Sequence, residues 1–400
     1  MSESLLNIAK THVLDFLPEA HAIAGFAFPT TRQEAWKYTR IGAITNNEWH
    51  VVPSSEVKAA ANTIEVVNGY FEVGSLPAGV RIEQAGNLSK PMQEKMVQMI
   101  QAAGTKDIFD AAFQHACTDA LVIHVSKGTV IEENIHLNFT ITENEGLATP
   151  ALFVFAESHT QVDFTCEWKA GNGRTLHLPQ FFFELESEAR VRFYQLQNSG
   201  SDEVILLREH VQQGPHSYFG ISTITANAAW VRNELTIVVD GQGCESDLSG
   251  AYFPRGTQLV DNHTCVDHRV PHCQSNELYK GVMFERGKAV FNGKVFVRPD
   301  AQKTNAFQTN ANIMMSDDAT VNTKPELEIY ADDVKCSHGS TTGQFDEEAL
   351  FYLRARGLGE ESAKMLLVSA FTSDVLERIH NESWHDYVRE VLMGYELITE

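Results

Sequence analysis

The chain has 400 residues and a formal net charge of −22, set by 53 acidic against 31 basic side chains. That balance excludes nucleic-acid and anionic-membrane binding as main roles, since both need basic patches. No apolar run approaches the roughly 20 residues that span a bilayer, and the opening MSESLLNIAKTH sets Glu3 and Lys10 among its apolar positions, unlike a secretory leader.

Six cysteines lie far apart with no CxxC pair, which points to a cytoplasmic chain with reduced thiols. Residues 1–118 read as mostly helical. Leu5, Leu6, Ile8, Val13, Leu14 and Leu17 are spaced for an amphipathic helix ending before Pro18. Thr31 to Glu34 suits a capping box. Pro91 to Ala103 carries Met92, Met96, Met99 and Ile100 on one face, with Gly104 as a stop, and a short helix follows around Ile108 to Cys117.

Residues 119–344 change character. Short runs such as LVIHV, ALFVFA, QVDFTC, FFFELE, VRFYQL, YFGIST, ELTIVV and AVFNGKVFV recur between Gly, Asn, Asp and Ser clusters, with no room for an ordinary helix. A β-sandwich and a parallel β-solenoid both fit. The dipeptides Asn68-Gly69, Asp240-Gly241 and Asn292-Gly293 offer hairpin turns for the sandwich, and no crisp internal repeat decides for the solenoid.

The stretch from Lys324 to Phe371 joins a strand pattern to a helical one. Leu327, Ile329, Val334, Cys336 and His338 alternate, so Cys336 and His338 share a face. Asp346 is a suitable N-cap and Gly357 a helix stop. Residues 345–400 read as several helices whose apolar positions cover the open end of the β body, dock a partner, or do both.

Phosphate loops, GxSxG, HExxH and four-cysteine patterns are all missing, so ATP use and a stably held iron–sulfur centre are not expected of this chain alone. Two constellations remain. Cys336 with His338 makes half of a tetrahedral soft-metal site, or else a buried thiol beside a hydrogen-bonded imidazole. His263, Cys265 and Asp267 fall at i, i+2 and i+4 with His268, His272 and Cys273 close by. They form either a ligand set or a hydrogen-bonded ladder that helps strands pair at an interface.

The run ADDVKCSHGSTTGQFDEEALFYLRARGL resembles the C-terminal signature of the SufB/SufD family of iron–sulfur cluster assembly proteins. DNHTCVDH, YKGVMFERGKAVFNGKVFV and AQKTNAFQTNANIMMSDDA resemble the same family in the same order. SufB-like members tend to have Glu-His-Glu where this chain has Cys336-Ser337-His338-Gly339. They also carry an assembly cysteine where this chain has Thr323 and Lys324, and RQEAWKYTRIG is similar to the SufD-like branch.

The resemblance implies a mainly β fold, a right-handed parallel β-helix between helical ends. It implies pairing with SufB through strands, and a helical tail that contacts SufC, an ABC-type ATPase, with Phe345, Leu350, Phe351, Leu353, Leu366 and Phe371 as candidate contacts. It also implies an iron–sulfur cluster formed transiently at the SufB interface, with His338 and the nearby Cys336 as this chain's contribution. His263, Cys265 and Asp267 become interface candidates, and an exposed pairing edge leaves a homodimer open to the chain when its partner is absent. The competing class is a β-helix carbohydrate-active enzyme. It needs converging carboxylates, whereas the members of the pairs Asp332–Asp333 and Glu347–Glu348 point apart.

Overall fold

The computed structural model describes residues 4–17 and 23–399; Glu3 and Pro18 lie outside them. Strands alternate between two long sheets, so that each strand hydrogen-bonds to the strands before and after it in the same sheet rather than to its chain neighbours. One sheet runs from Ala120–Val125 through Ala151–Ala156, Gln180–Leu185, Val204–Gln213, Trp230–Val239, Leu259–His268 and Lys288–Val297 to Thr320–Ile329. The other runs from Ile135–Thr140 through Gln161–Lys169, Arg190–Asn198, Tyr218–Asn227, Glu245–Tyr252, Gln274–Met283 and Asn305–Met314 to Lys335–Gly343. Every one of these pairings is parallel. The β body is therefore a parallel solenoid of eight turns, and no helix interrupts it.

Stacking in register sorts the side chains. One inward column reads Ile135, Phe164, Phe193, Ile221, Leu248, Glu277, Gln308, His338. The early turns fill the lumen with rings: Phe139 stacks on Trp168 at 4.2 Å, and Phe183 meets Phe193 edge-on at 5.2 Å. The later turns fill it with amides, hydroxyls and two carboxyls.

One corner of the solenoid is a column of left-handed residues. Gly128, His159, Glu188, His216, Gly243, His272 and Lys303 all have φ between 56° and 74°. Each corner needs a single left-handed residue rather than a two-residue hairpin turn, which is why Asn-Gly signals are a poor guide here. At Gly243 the requirement is also steric, because a Cβ would lie 2.4 Å from His216 Nδ1. Of the expected hairpin dipeptides, Asn68-Gly69 does turn an antiparallel pair, Thr63–Val67 with Tyr70–Val73, whereas Asn292-Gly293 sits inside a strand.

The ends differ. At the start, Thr63–Val67 pairs parallel with Ile135–Thr140 and Val80–Gln84 pairs antiparallel with Ala120–Val125, closing the first turn. These strands lie in a region whose sequence reads as mostly helical. The spacing from Leu5 to Leu17 yields only a 3-10 turn at Ser4–Asn7 followed by a further turn, with Leu5, Leu14 and Leu17 buried and Leu6 partly so. The helices Lys90–Ala103 and Ile108–Ala116 form, the first stopped by Gly104 at φ 74° and the second capped by Asp107, whose side chain accepts from Phe109 N. Arg208, on the solenoid's outer surface, bonds Asp107 at 2.8 Å, Asp110 at 2.5 Å and Glu234 at 2.8 Å, tying that helix to the strands.

The tail corrects one expectation. The helices Glu360–Leu376 and Glu382–Gly394 do not cover the open end. They pack against the side of the second sheet, burying Val368, Val375, Trp384, Val388 and Leu392 on Tyr194, Leu196, Ile224, Ala251 and Val282. The last turn is left uncovered because the apolar surface that attracts these helices is on the sheet's flank.

Candidate functional site

The last turn consists of Thr320–Ile329 and Lys335–Gly343. Each pairs on one side only, with Lys288–Val297 and Asn305–Met314 respectively. Lys335 N donates to Thr304 O at 2.9 Å. In a parallel ladder, alternate residues address opposite neighbours. The N–H groups of Cys336, His338, Ser340 and Thr342 therefore face away from the solenoid, an edge ready to accept another strand.

Parity places Cys336 and His338 together, as the alternation implies. Cys336 stacks on Ala306 and His338 on Gln308, both on the lumen side. Thr323 and Ser340 meet across the lumen, hydroxyl to hydroxyl at 2.9 Å. Cys336 rests half-buried on Val295, Val297, Ala306 and Ala331, and burial raises its thiol pKa above the ordinary value. His338 is exposed and has no hydrogen-bond or ion-pair partner among the described residues. The mouth of the solenoid thus presents a protonated thiol and a free imidazole side by side. That is an incomplete ligand set, and among the described residues no group of three or more His, Cys, Asp or Glu could hold a metal ion.

His263, Cys265 and Asp267 lie elsewhere, on the outer face of the first sheet. His263 Nε2 is 2.9 Å from Asp261 Oδ1, and Asp261 also bonds Arg232 and takes the Thr39 hydroxyl at 2.6 Å. Asp267 is held by Arg298 at 2.7 Å and Arg269 at 2.9 Å, and hydrogen bonds from both keep its carboxyl below the usual range. Burial pushes the Cys265 thiol up to about 11. His263 and Asp267 are both spent on contacts with neighbouring side chains, and Trp36 lies against Arg232, whose guanidinium is 3.9 Å from its ring. His268 bonds Ser275 at 2.9 Å inside the body, while Cys244 and Cys273 are buried and share the carbonyl of Gly241.

Beside this constellation runs a groove of about 520 Å³, lined by Glu34, Trp36, Lys106, Glu234, Cys265 and Lys324 among others. Its carboxylates are paired: Glu234 with Arg208 and Arg232, and Glu34 and Glu326 with Lys324. The cations around Glu234 hold it well below the usual carboxylate range, the reverse of what a general acid needs.

The tail's exposed apolar surface is narrower than its sequence suggests. Phe345 and Phe371 are partly buried against the solenoid, and Lys280 bonds Phe371 O at 2.7 Å and Asp374 at 2.8 Å. Leu350, Leu353 and Leu366 are half-buried. The helix Glu347–Ala355 buries no residue at all, and Phe351 is 73% and Tyr352 57% exposed. Sequence reasoning did not single out Tyr352, although its place next to Phe351 in a helix without a complete apolar stripe is the available signal.

Residues 139–371 match the family described as SUF system FeS cluster assembly, SufBD core domain. A SufBD family protein of Mycobacterium leprae is 35% identical, with 89% of this chain and 88% of the relative aligned. One from Synechocystis is 28% identical over 93% and 88%. The iron–sulfur cluster assembly protein SufD of Escherichia coli is 26% identical over 88% and 86%.

Proposed function

The chain belongs to the SufBD family of the SUF iron–sulfur cluster assembly system, and from that membership we propose that it is a noncatalytic scaffold subunit working in the cytoplasm. It pairs with a SufB-type chain by strand addition at Lys335–Gly343, and its tail helix Glu347–Ala355 docks a SufC-type ATPase. Iron and sulfide are cargo, assembled where the two solenoids meet, with His338 as this chain's contact and Cys336 as a secondary one. ATP hydrolysis belongs to the partner and opens or closes the junction.

The observation that carries this reading is the uncovered last turn, with an unpaired strand edge and a free imidazole at the lumen mouth. Half a ligand set at an open edge is what a shared site looks like from one side. The family name of the E. coli relative points to the same process.

Co-expression with SufB-type and SufC-type chains tests it. The wild-type complex should carry iron and sulfide. His338→Ala, at an exposed strand position next to Gly339, should keep assembly and stability within about 1 kcal/mol and lose most of the cluster. Cys336→Ala should act in the same direction but less strongly. A His338→Ala complex that assembles normally and builds clusters at the wild-type rate overturns the assignment.

A further inference from the structure

The strand Asn305–Met314 sends Ala306, Gln308, Asn310 and Asn312 into the lumen, directly beneath Cys336, His338, Ser340 and Thr342. Two of these polar groups are fully used. Asn310 Nδ2 donates to the Tyr252 hydroxyl at 3.0 Å, that hydroxyl donates to Asn312 Oδ1 at 2.7 Å, and Asn312 Nδ2 donates to Asn310 Oδ1 at 2.7 Å.

Gln308 is only half used. Its Nε2 donates to Glu277 Oε2 at 2.6 Å, and the Thr264 hydroxyl donates to the other Glu277 oxygen at 2.5 Å. Its Oε1 is buried without a partner, in a residue 2% exposed. Buried acceptors are nearly always satisfied. Above about pH 7, where Glu277 is ionised and can only accept, its Oε2 takes the NH₂ group, so the amide oxygen is the end left over. Gly293 gives the amide its room, since a Cβ there would stand 2.1 Å from Gln308 Nε2. The next residue in Gln308's own column is His338, itself without a partner.

We propose that Gln308 is the positioning residue of His338. Its Oε1 accepts from one ring N–H of His338, selecting a single tautomer. The other ring nitrogen is left bare at the lumen mouth, where a cation brought to the open edge meets it. Metal-contacting imidazoles are commonly fixed in this way by an acceptor on the far nitrogen. Glu277 and Thr264 act one step further back by holding the amide. This rests on the reading of His338 as the chain's contact with the cargo.

The test is ¹⁵N NMR of the full chain labelled at histidine, with the His338 signals assigned by their loss in His338→Ala. The neutral wild-type ring should show roughly a tenfold excess of one tautomer. Gln308→Met, which keeps the volume and removes the acceptor, should return the ring to the mixed shifts of a free imidazole. Gln308→Glu, which keeps an acceptor oxygen, should restore the bias. The signals of buried His268 report whether a variant has kept its fold. A wild-type His338 that already shows free-imidazole shifts overturns the proposal without any variant. So does a Gln308→Met chain with intact His268 signals and an unchanged His338 tautomer ratio. The tautomer is read on the chain alone, so its result stands apart from whether clusters are built.

Discussion

Two buried carboxyls show how the lumen's polar turns affect stability. Glu209 lies inside the solenoid with Gln195 Nε2 at 2.8 Å, and Glu277 has only Thr264 and Gln308. Among the described residues no cation faces either one, and desolvation pushes their pKa values up to about 8 and about 7 from 4.5. The folded chain therefore keeps two protons that the unfolded chain loses near 4.5, and stability falls as pH rises from there towards 8. One unit of pH costs about 1.4 kcal/mol per such group. Glu209→Gln mimics the protonated form, so its stability should lead the wild type's at pH 8 and converge on it at pH 5. Urea unfolding midpoints at four pH values measure this, and parallel curves for the two chains would refute it. At the same scale, the pairing of Cys336 with His338 was legible from alternation alone. Gln308 was not, because its neighbours Glu277 and Gly293 are 31 and 15 residues away in sequence and only the register brings them together.

At the scale of elements, the tail divides into anchors and an exposed face. Phe345 and Phe371 hold it to the solenoid, so changing them tests folding rather than docking. The helix Glu347–Ala355 is different. Asp346 caps it by accepting from Glu348 N and Ala349 N, and Arg356 bonds the Tyr352 hydroxyl at 2.7 Å, so it is ordered without being buried. Exposed aromatic side chains on an ordered helix are typical binding anchors. Phe351→Ser combined with Tyr352→Ser should weaken capture of a SufC-type ATPase by about 1000-fold, at two hot-spot losses of about 2 kcal/mol each. The melting temperature should move by no more than a degree or two, because neither ring supports the core. Undiminished capture by the doubly substituted chain would remove this helix from the docking surface. The sequence marked the helix and its cap correctly, but the apolar spacing at Leu350, Leu353 and Leu366 could not show which positions the second sheet would cover.

For the whole molecule, the coil period explains what the sequence hid. Arg208 stacks on Glu234, 26 residues on, while Asn292 stacks on Lys324, 32 residues on. Corner lengths drift while register is kept, so the strand runs stand out and the repeat does not. The two ends differ in what they leave unpaired. The first turn is closed by the Thr63–Val73 hairpin, and the last is left open with outward N–H groups at Cys336, His338, Ser340 and Thr342. A proline at such a position removes a donor from the free edge and none from the ladder with Asn305–Met314. The double variant Ser340→Pro, Thr342→Pro gives up only the exposed Thr323–Ser340 contact. It should fold with unchanged far-ultraviolet circular dichroism, yet fail to pair with a SufB-type chain and fail to self-associate when alone. Sizing by light scattering after co-expression reads both. If the variant forms the heterodimer at wild-type yield, the chains do not meet by strand addition at this edge, and the shared site would have to be sought on another face of the solenoid.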